Sequence, residues 1–157
     1  MFIAKLYRMG SFVSNCYQLV WSTKHREPVL EARNREVLYT YIKGILKEKR
    51  CNWFAVNGVE DHIHIGTHVH QSICIADLVK DIKLATHDLI DREQLFPYFL
   101  DWQSGYAAFS YHADSKESVR NYIERQVEHH ADGFSSREEM FALLTEHRLP
   151  YRREYLE

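Results

Sequence analysis

Along the chain, apolar positions switch between a period of two and a period near four. Residues Cys16–Thr23 (CYQLVWST) set Tyr17, Leu19 and Trp21 against Cys16, Gln18 and Val20, the alternation of a strand. Residues Arg35–Lys49 carry Val37/Leu38, Tyr41/Ile42 and Ile45/Leu46 spaced by four, which predicts an amphipathic helix with Asn34 as its N-cap. Asn52–Val59 reads as a second strand, and Glu60-Asp61 as a tight turn into a third strand over His62–Val69. Ile75–Ile90 again has helical spacing at Ile75, Leu78/Val79, Ile82 and Leu89. After Pro97, Tyr106–Tyr111 (YAAFSY) predicts a fourth strand. Asp114 to Glu117 (DSKE) resembles a capping box opening a third helix that reaches His130 and stops at Gly133. Ser135 to Glu138 (SSRE) repeats the signal for a last helix, which must end before Pro150.

The order β-α-β-β-α-β with two appended helices is the split βαβ pattern of an α+β, ferredoxin-like sandwich. It predicts a four-stranded antiparallel sheet with the first and third strands central. Two helices cover one face and the other face stays free. Another α+β sandwich is the alternative. The length predicts one domain over residues 1–157.

Composition removes several function classes. There is no run of about 18 apolar residues, so no membrane span is expected. Cys16, Cys51 and Cys74 are widely spaced and form no C-x-x-C, which speaks for reduced thiols in a cytoplasm. The opening MFIAKLYRMGSFVSN has neither the apolar block nor the cleavage site of a secretory leader. Twenty Lys and Arg against 22 Asp and Glu leave a formal charge of −2. A nucleic-acid partner would therefore need a local basic patch.

The stretch DHIHIGTHVH holds four of the ten histidines, His62, His64, His68 and His70. Residues two apart on a strand share a face. Ile63 and Ile65 belong under the helices, so His62 and His64 point together to the free face. Such a pair can hold one metal ion, or can be hydrogen-bonded polar decoration. His68 and His70 lie beyond Gly66, where a bend is permitted, and read as edge or loop residues. On the third helix Val119, Ile123 and Val127 form the expected core stripe. Tyr122 and Gln126 share the neighbouring stripe, with His129 one turn on. Trp21, Trp53, Tyr106 and Phe109 read as core.

Four co-linear motifs resemble the single-tyrosine HUH transposases of the smallest bacterial insertion sequences (the insertion-sequence-200-like family) and the related REP-associated tyrosine transposases. They are His62-Ile63-His64 (the His-hydrophobic-His pair), IADLVKDIKLATHDLI with Lys83, DWQSGYAAFSY, and SVRNYIERQVEHH. The strand running into Lys24–Pro28 and the ending FSSREEMFALLTEHRLPYRREYL match in layout. The resemblance spans nearly the whole chain. It implies that His62, His64 and Gln126 hold a divalent metal, Mg²⁺ or Mn²⁺, and that Tyr122 is the nucleophile. It implies single-stranded DNA hairpins as substrate, nicked and rejoined through a 5′-phosphotyrosine link. It also implies a homodimer in which the tyrosine helix of one subunit completes the histidine site of the other.

The chemistry suits these residues. Two imidazoles and an amide oxygen leave coordination positions open for phosphate and water. A phenol with an ordinary pKa of about 10 needs help to become a nucleophile. Lys24, Arg26, Lys43, Lys47, Lys83, Arg120 and Arg125 are candidates to track phosphates. Two alternatives stand beside this reading: a domesticated or inactive module that binds hairpin nucleic acid without chemistry, and a zinc protein using His68 or His70.

Overall fold

The protein is described by a computed structural model covering residues 12–152 and 154; the leader expectation on residues 1–11 lies outside the described residues. Four strands, β1 (Cys16–Ser22), β2 (Asn52–Gly58), β3 (His62–His68) and β4 (Ala107–Tyr111), form one sheet in the order β2-β3-β1-β4. Every pairing is antiparallel, and β3 and β1 are central. The ferredoxin-like expectation is met.

Helices α1 (Ala32–Glu48) and α2 (Ile75–Glu93) cover one face. Leu19, Trp21, Ile63 and Ile65 from the central strands meet Leu38, Ile42, Leu46, Leu78 and Ile82 there, all buried. The period-two and period-four patterns thus converge on one apolar layer, the main source of stability. Asn34 is not the cap of α1. The helix starts earlier, and the Asn34 amide donates to the Leu95 carbonyl at 2.6 Å.

The opposite face, expected to be free, is covered by three C-terminal helices: α3 (Lys116–Glu124), α4 (Gln126–Ala131) and α5 (Ser136–Glu146). Val119 and Ile123 of α3 bury against Cys16, Phe54 and Ala55. Leu143 of α5 buries against Val20 and Phe109. The sheet's second face carries enough apolar surface at these positions to recruit its own lid. Phe54 is the extra residue of a bulge in β2, between Trp53 and Ala55. Its ring lies over Gly66, where a Cβ would come within 2.4 Å of it. The glycine that suggested a bend in β3 instead makes room for a neighbour's bulge.

The third helix is not continuous. It breaks at Arg125 (φ −95°, ψ 17°) into α3 and α4. The Asn57 amide of β2 donates to the carbonyls of both Ile123 and Glu124, at 3.0 and 2.9 Å. It takes two acceptors that a continuous helix would use itself. Past the break Val127 is exposed instead of joining the core stripe, and Gln126 is fully buried. The expected capping box at Asp114 is also absent: a short turn, Ala113–Ser115, precedes α3. The box at Ser135 and Glu138 is present in both directions. Trp21 and Phe109 are core as expected, whereas Trp53 and Tyr106 are exposed.

Candidate active site

The alternation of β3 sends His62 and His64 to the face under α3 and α5, opposite Ser22 and Val20 of β1. Both are buried, His64 completely. The carboxylate of Glu139, projecting from α5, stands between them. Its Oε2 lies 2.9 Å from His62 Nε2 and 3.0 Å from His130 Nε2. Its Oε1 lies 3.4 Å from His64 Nε2. The Gln126 amide donates to Oε1 at 2.7 Å and places its own oxygen 3.3 Å from His62 Nε2. The Tyr122 hydroxyl donates to the same Glu139 Oε1. The Tyr122 ring sits 6.0 Å from that of His64 and 5.2 Å from that of His129.

Each imidazole is held on its far nitrogen. Asp61 Oδ1 is 2.6 Å from His62 Nδ1, and Ser136 Oγ donates to Asp61 Oδ2 at 2.8 Å. Gln18 Nε2 lies 2.8 Å from His64 Nδ1, and the Tyr111 hydroxyl donates to Gln18 Oε1 at 2.9 Å. A carboxylate on Nδ1, as at His62, is how metal-binding histidines are oriented elsewhere.

Burial opposes charge on both imidazoles, and their partners separate them. His62 lies between two carboxylates; despite burial, its bonds to Asp61 and Glu139 push its pKa up to about 9. Burial dominates at His64 and lowers its pKa. Glu139 is buried too, yet the two histidines hold its carboxyl well below the usual range. Burial first, and then the Glu139 charge, raise the Tyr122 pKa, so the phenol is neutral.

His62, His64 and Glu139 each offer a ligand atom within 4.8 Å of the others. His64 Nε2 is buried and has no hydrogen-bond partner. Such an orphan among basic and acidic donors is the fit a metal ion requires. His68 and His70 do not join: the His68 ring packs against Phe54, and His70 bonds to Ser72.

Of the basic candidates, Arg26 is the one at the histidines. It lines a small hollow with Ser22, His62, His64, Ser136 and Glu139, and it donates to Ser22 Oγ at 2.9 Å. Its Nε is buried without a partner. His25 and Arg26 are both left-handed, with φ of 58° and 55°, a conformation that side chains resist. Lys24, in the same turn, is exposed. Lys83 is committed elsewhere: it donates to the carbonyls of Gln103 and Gly105. Lys43 sits over the Trp53 ring at 4.9 Å, on the other layer. Lys47 is exposed on the same helix, α1. Arg120 donates to the Phe54 carbonyl at 3.3 Å, and exposed Arg125 pairs with Glu128 at 2.7 Å.

The family profile described as "Transposase IS200 like" matches residues 11–126. The chain belongs to the IS200-like transposase family. Among solved structures it is similar to a protein described as a transposase of Deinococcus radiodurans, at 21% identity and TM-score 0.58, over 77% of this chain and 98% of that one. It is also similar to a REP-associated tyrosine transposase bound to a REP hairpin, at 13% identity and TM-score 0.58, over 78% of this chain and 73% of that one. At these identities the structural likenesses speak for the fold. No curated protein matches. Among the described residues no helix of this IS200-like transposase is long and apolar enough to cross a membrane.

Val119 and Ile123 of α3 take their apolar cover from the chain's own sheet, and Tyr122 stands beside the histidines of the same chain. Glu139, Asp61, Gln18 and His130 went unread as site residues. A signal existed for Glu139: Ser136, Glu139 and Leu143 are spaced i, i+3, i+7 and are all buried, so an acid sits in the stripe that faces inward.

Proposed function

We propose that residues 1–157 act as one HUH domain that nicks and rejoins single-stranded DNA at hairpin-flanked ends. Tyr122 is the nucleophile, and His62, His64 and Gln126 hold a divalent ion, Mg²⁺ or Mn²⁺. The observation that supports this best is the convergence of a phenol, two imidazoles and a buried amide from three elements on one cluster. When bound, the ion supplies Lewis-acid stabilisation of the phosphate oxygens. Asp61 and Gln18 keep the imidazole nitrogens aimed. Glu139 accepts the phenolic hydrogen bond and orients the oxygen. Arg26, with a free buried N–H, is the group positioned to meet the phosphate. The Tyr122 oxygen bonds to phosphorus as the bond to the 3′-oxygen breaks, leaving a 5′-phosphotyrosine and a 3′-OH. Phosphodiester energy is conserved, so rejoining needs no ATP.

The partner is single-stranded hairpin DNA, and the active unit is a homodimer in the cytoplasm. The single-chain geometry favours a site formed in cis within each subunit. Exchange of the tyrosine helix is the alternative.

The test is incubation with labelled single-stranded hairpin DNA and Mn²⁺ or Mg²⁺. Wild type should give a protein-linked band in a denaturing gel. Tyr122→Phe, His62→Ala and His64→Ala should give none while still retaining hairpin. Hairpin binding with no adduct from wild type, across a broad hairpin library, would establish the binding-module reading instead. The sealed surroundings of His62 and His64 are what favours that second reading.

A further inference from the structure

We propose that Glu139 is itself a ligand of the metal site, an anionic donor that α5 delivers to the imidazole pair. The proposal rests on the metal reading of His62 and His64 given above. Spacing is the first argument. Metal–donor bonds of about 2.1 Å put neighbouring donors about 3.0 Å apart around an octahedral ion and about 3.4 Å apart around a tetrahedral one. Glu139 Oε2 is 2.9 Å from His62 Nε2, and Oε1 is 3.4 Å from His64 Nε2. Two edges of a coordination shell are thus present, one from each imidazole to an oxygen of the carboxylate. Gln126 Oε1, 3.3 Å from His62 Nε2, fits as a fourth ligand.

Charge is the second argument. Two neutral imidazoles and an amide leave a buried divalent ion without compensation, which a dry site tolerates poorly. Glu139 is 3% exposed and is the carboxylate aimed at both imidazoles. The third argument is that His64 Nε2 is buried without a hydrogen-bond partner, 3.4 Å from Glu139 Oε1, and an ion held between the two would satisfy it.

The direct test is Mn²⁺ titration of the full chain without DNA, read from loss of the free-ion EPR signal. Wild type, Glu139→Gln, Glu139→Asp and His62→Ala are compared, with circular dichroism to establish folding. Loss of an outer partner costs about 10–100-fold in metal affinity. Glu139→Gln is expected to lose more than that. Glu139→Asp, which keeps the carboxylate, should bind more tightly than Glu139→Gln. A Glu139→Gln loss no larger than the outer-partner range, beside collapse of binding in His62→Ala, would overturn the assignment and leave the metal site standing. Equal affinities for the Gln and Asp variants would also overturn it. Wild type that binds no Mn²⁺ would sink the metal reading and this donor together.

Discussion

Asn57→Ala tests whether one side chain on the strand beside the histidines shapes the active site. The Asn57 amide caps the carbonyls of Ile123 and Glu124 at the α3–α4 break. A neutral hydrogen bond contributes about 0.5–1.5 kcal/mol net. The Glu124 bond is exposed, and water can replace it. The loss is therefore about 0.5–1.5 kcal/mol. In a domain of this size that lowers Tm by about 1–6 °C. The functional loss should exceed the stability loss. With both carbonyls released, α3 can run on into α4, and Gln126 would rotate off the His62 and Glu139 contacts. The assays are urea unfolding and the rate of covalent adduct formation at a temperature where the variant is fully folded. Stability within about 0.3 kcal/mol of wild type, or an adduct rate that is unchanged in the folded variant, would refute the reasoning.

Gly66→Ala should destabilise by about 1–3 kcal/mol, because the new methyl would meet the Phe54 ring at 2.4 Å; urea unfolding indistinguishable from wild type would show that the bulge yields freely. Gln18→Leu should weaken Mn²⁺ binding by about 10–100-fold by removing the partner of His64 Nδ1, and unchanged affinity in the EPR titration would sink its orienting role. Arg26→Ala should depress adduct formation with little effect on Mn²⁺ affinity, since its guanidinium bonds to Ser22 and Ser136 and to none of the proposed donors; equal loss in both assays would assign it a structural role. Mixing Tyr122→Phe chains with His62→Ala/His64→Ala chains should restore no adduct, because Tyr122 lies against its own histidines; recovery would establish exchange between subunits.

What the sequence disclosed and what it hid divide along contact distance. Period two in His62–His68 and period four in α1 and α2 are local, and they placed the histidines on one face and the isoleucines on the other. The capping box at Ser135 is local too, and it is there. The break at Arg125 is not. It depends on Asn57, 67 residues from Glu124, and nothing in the α3 sequence announces it. The same holds for Glu139, 77 residues from His62. Glu138 and Glu139 are adjacent acids of identical propensity. One closes a capping box in solvent, and the other enters the site because its position shares a face with Leu143. Gln18 reads as the polar half of an alternating strand until Tyr111 and His64 are seen around it.

The burial of the site poses an energetic question that its own packing answers. His62, His64, Gln126 and Glu139 are all 3% exposed or less, so DNA cannot reach them with α5 docked. Leu143 is the buried anchor of α5 on Val20 and Phe109, helped by partly buried Met140 and Leu144. One buried leucine and two half-buried neighbours stabilise docking by about 3–5 kcal/mol. Non-specific binding to nucleic acid, with Kd of about 10⁻⁴–10⁻⁶ M, is worth about 5–8 kcal/mol. Ordinary phosphate contacts match that apolar anchorage, and the bonds of Glu139 to His62, His130, Gln126 and Tyr122 are the further cost of lifting the helix. The charge balance favours the same movement. A phosphate brought toward Arg26 would repel the Glu139 carboxylate beside it. If Glu139 is a donor at rest, its departure as a phosphate oxygen arrives replaces one anionic oxygen by another.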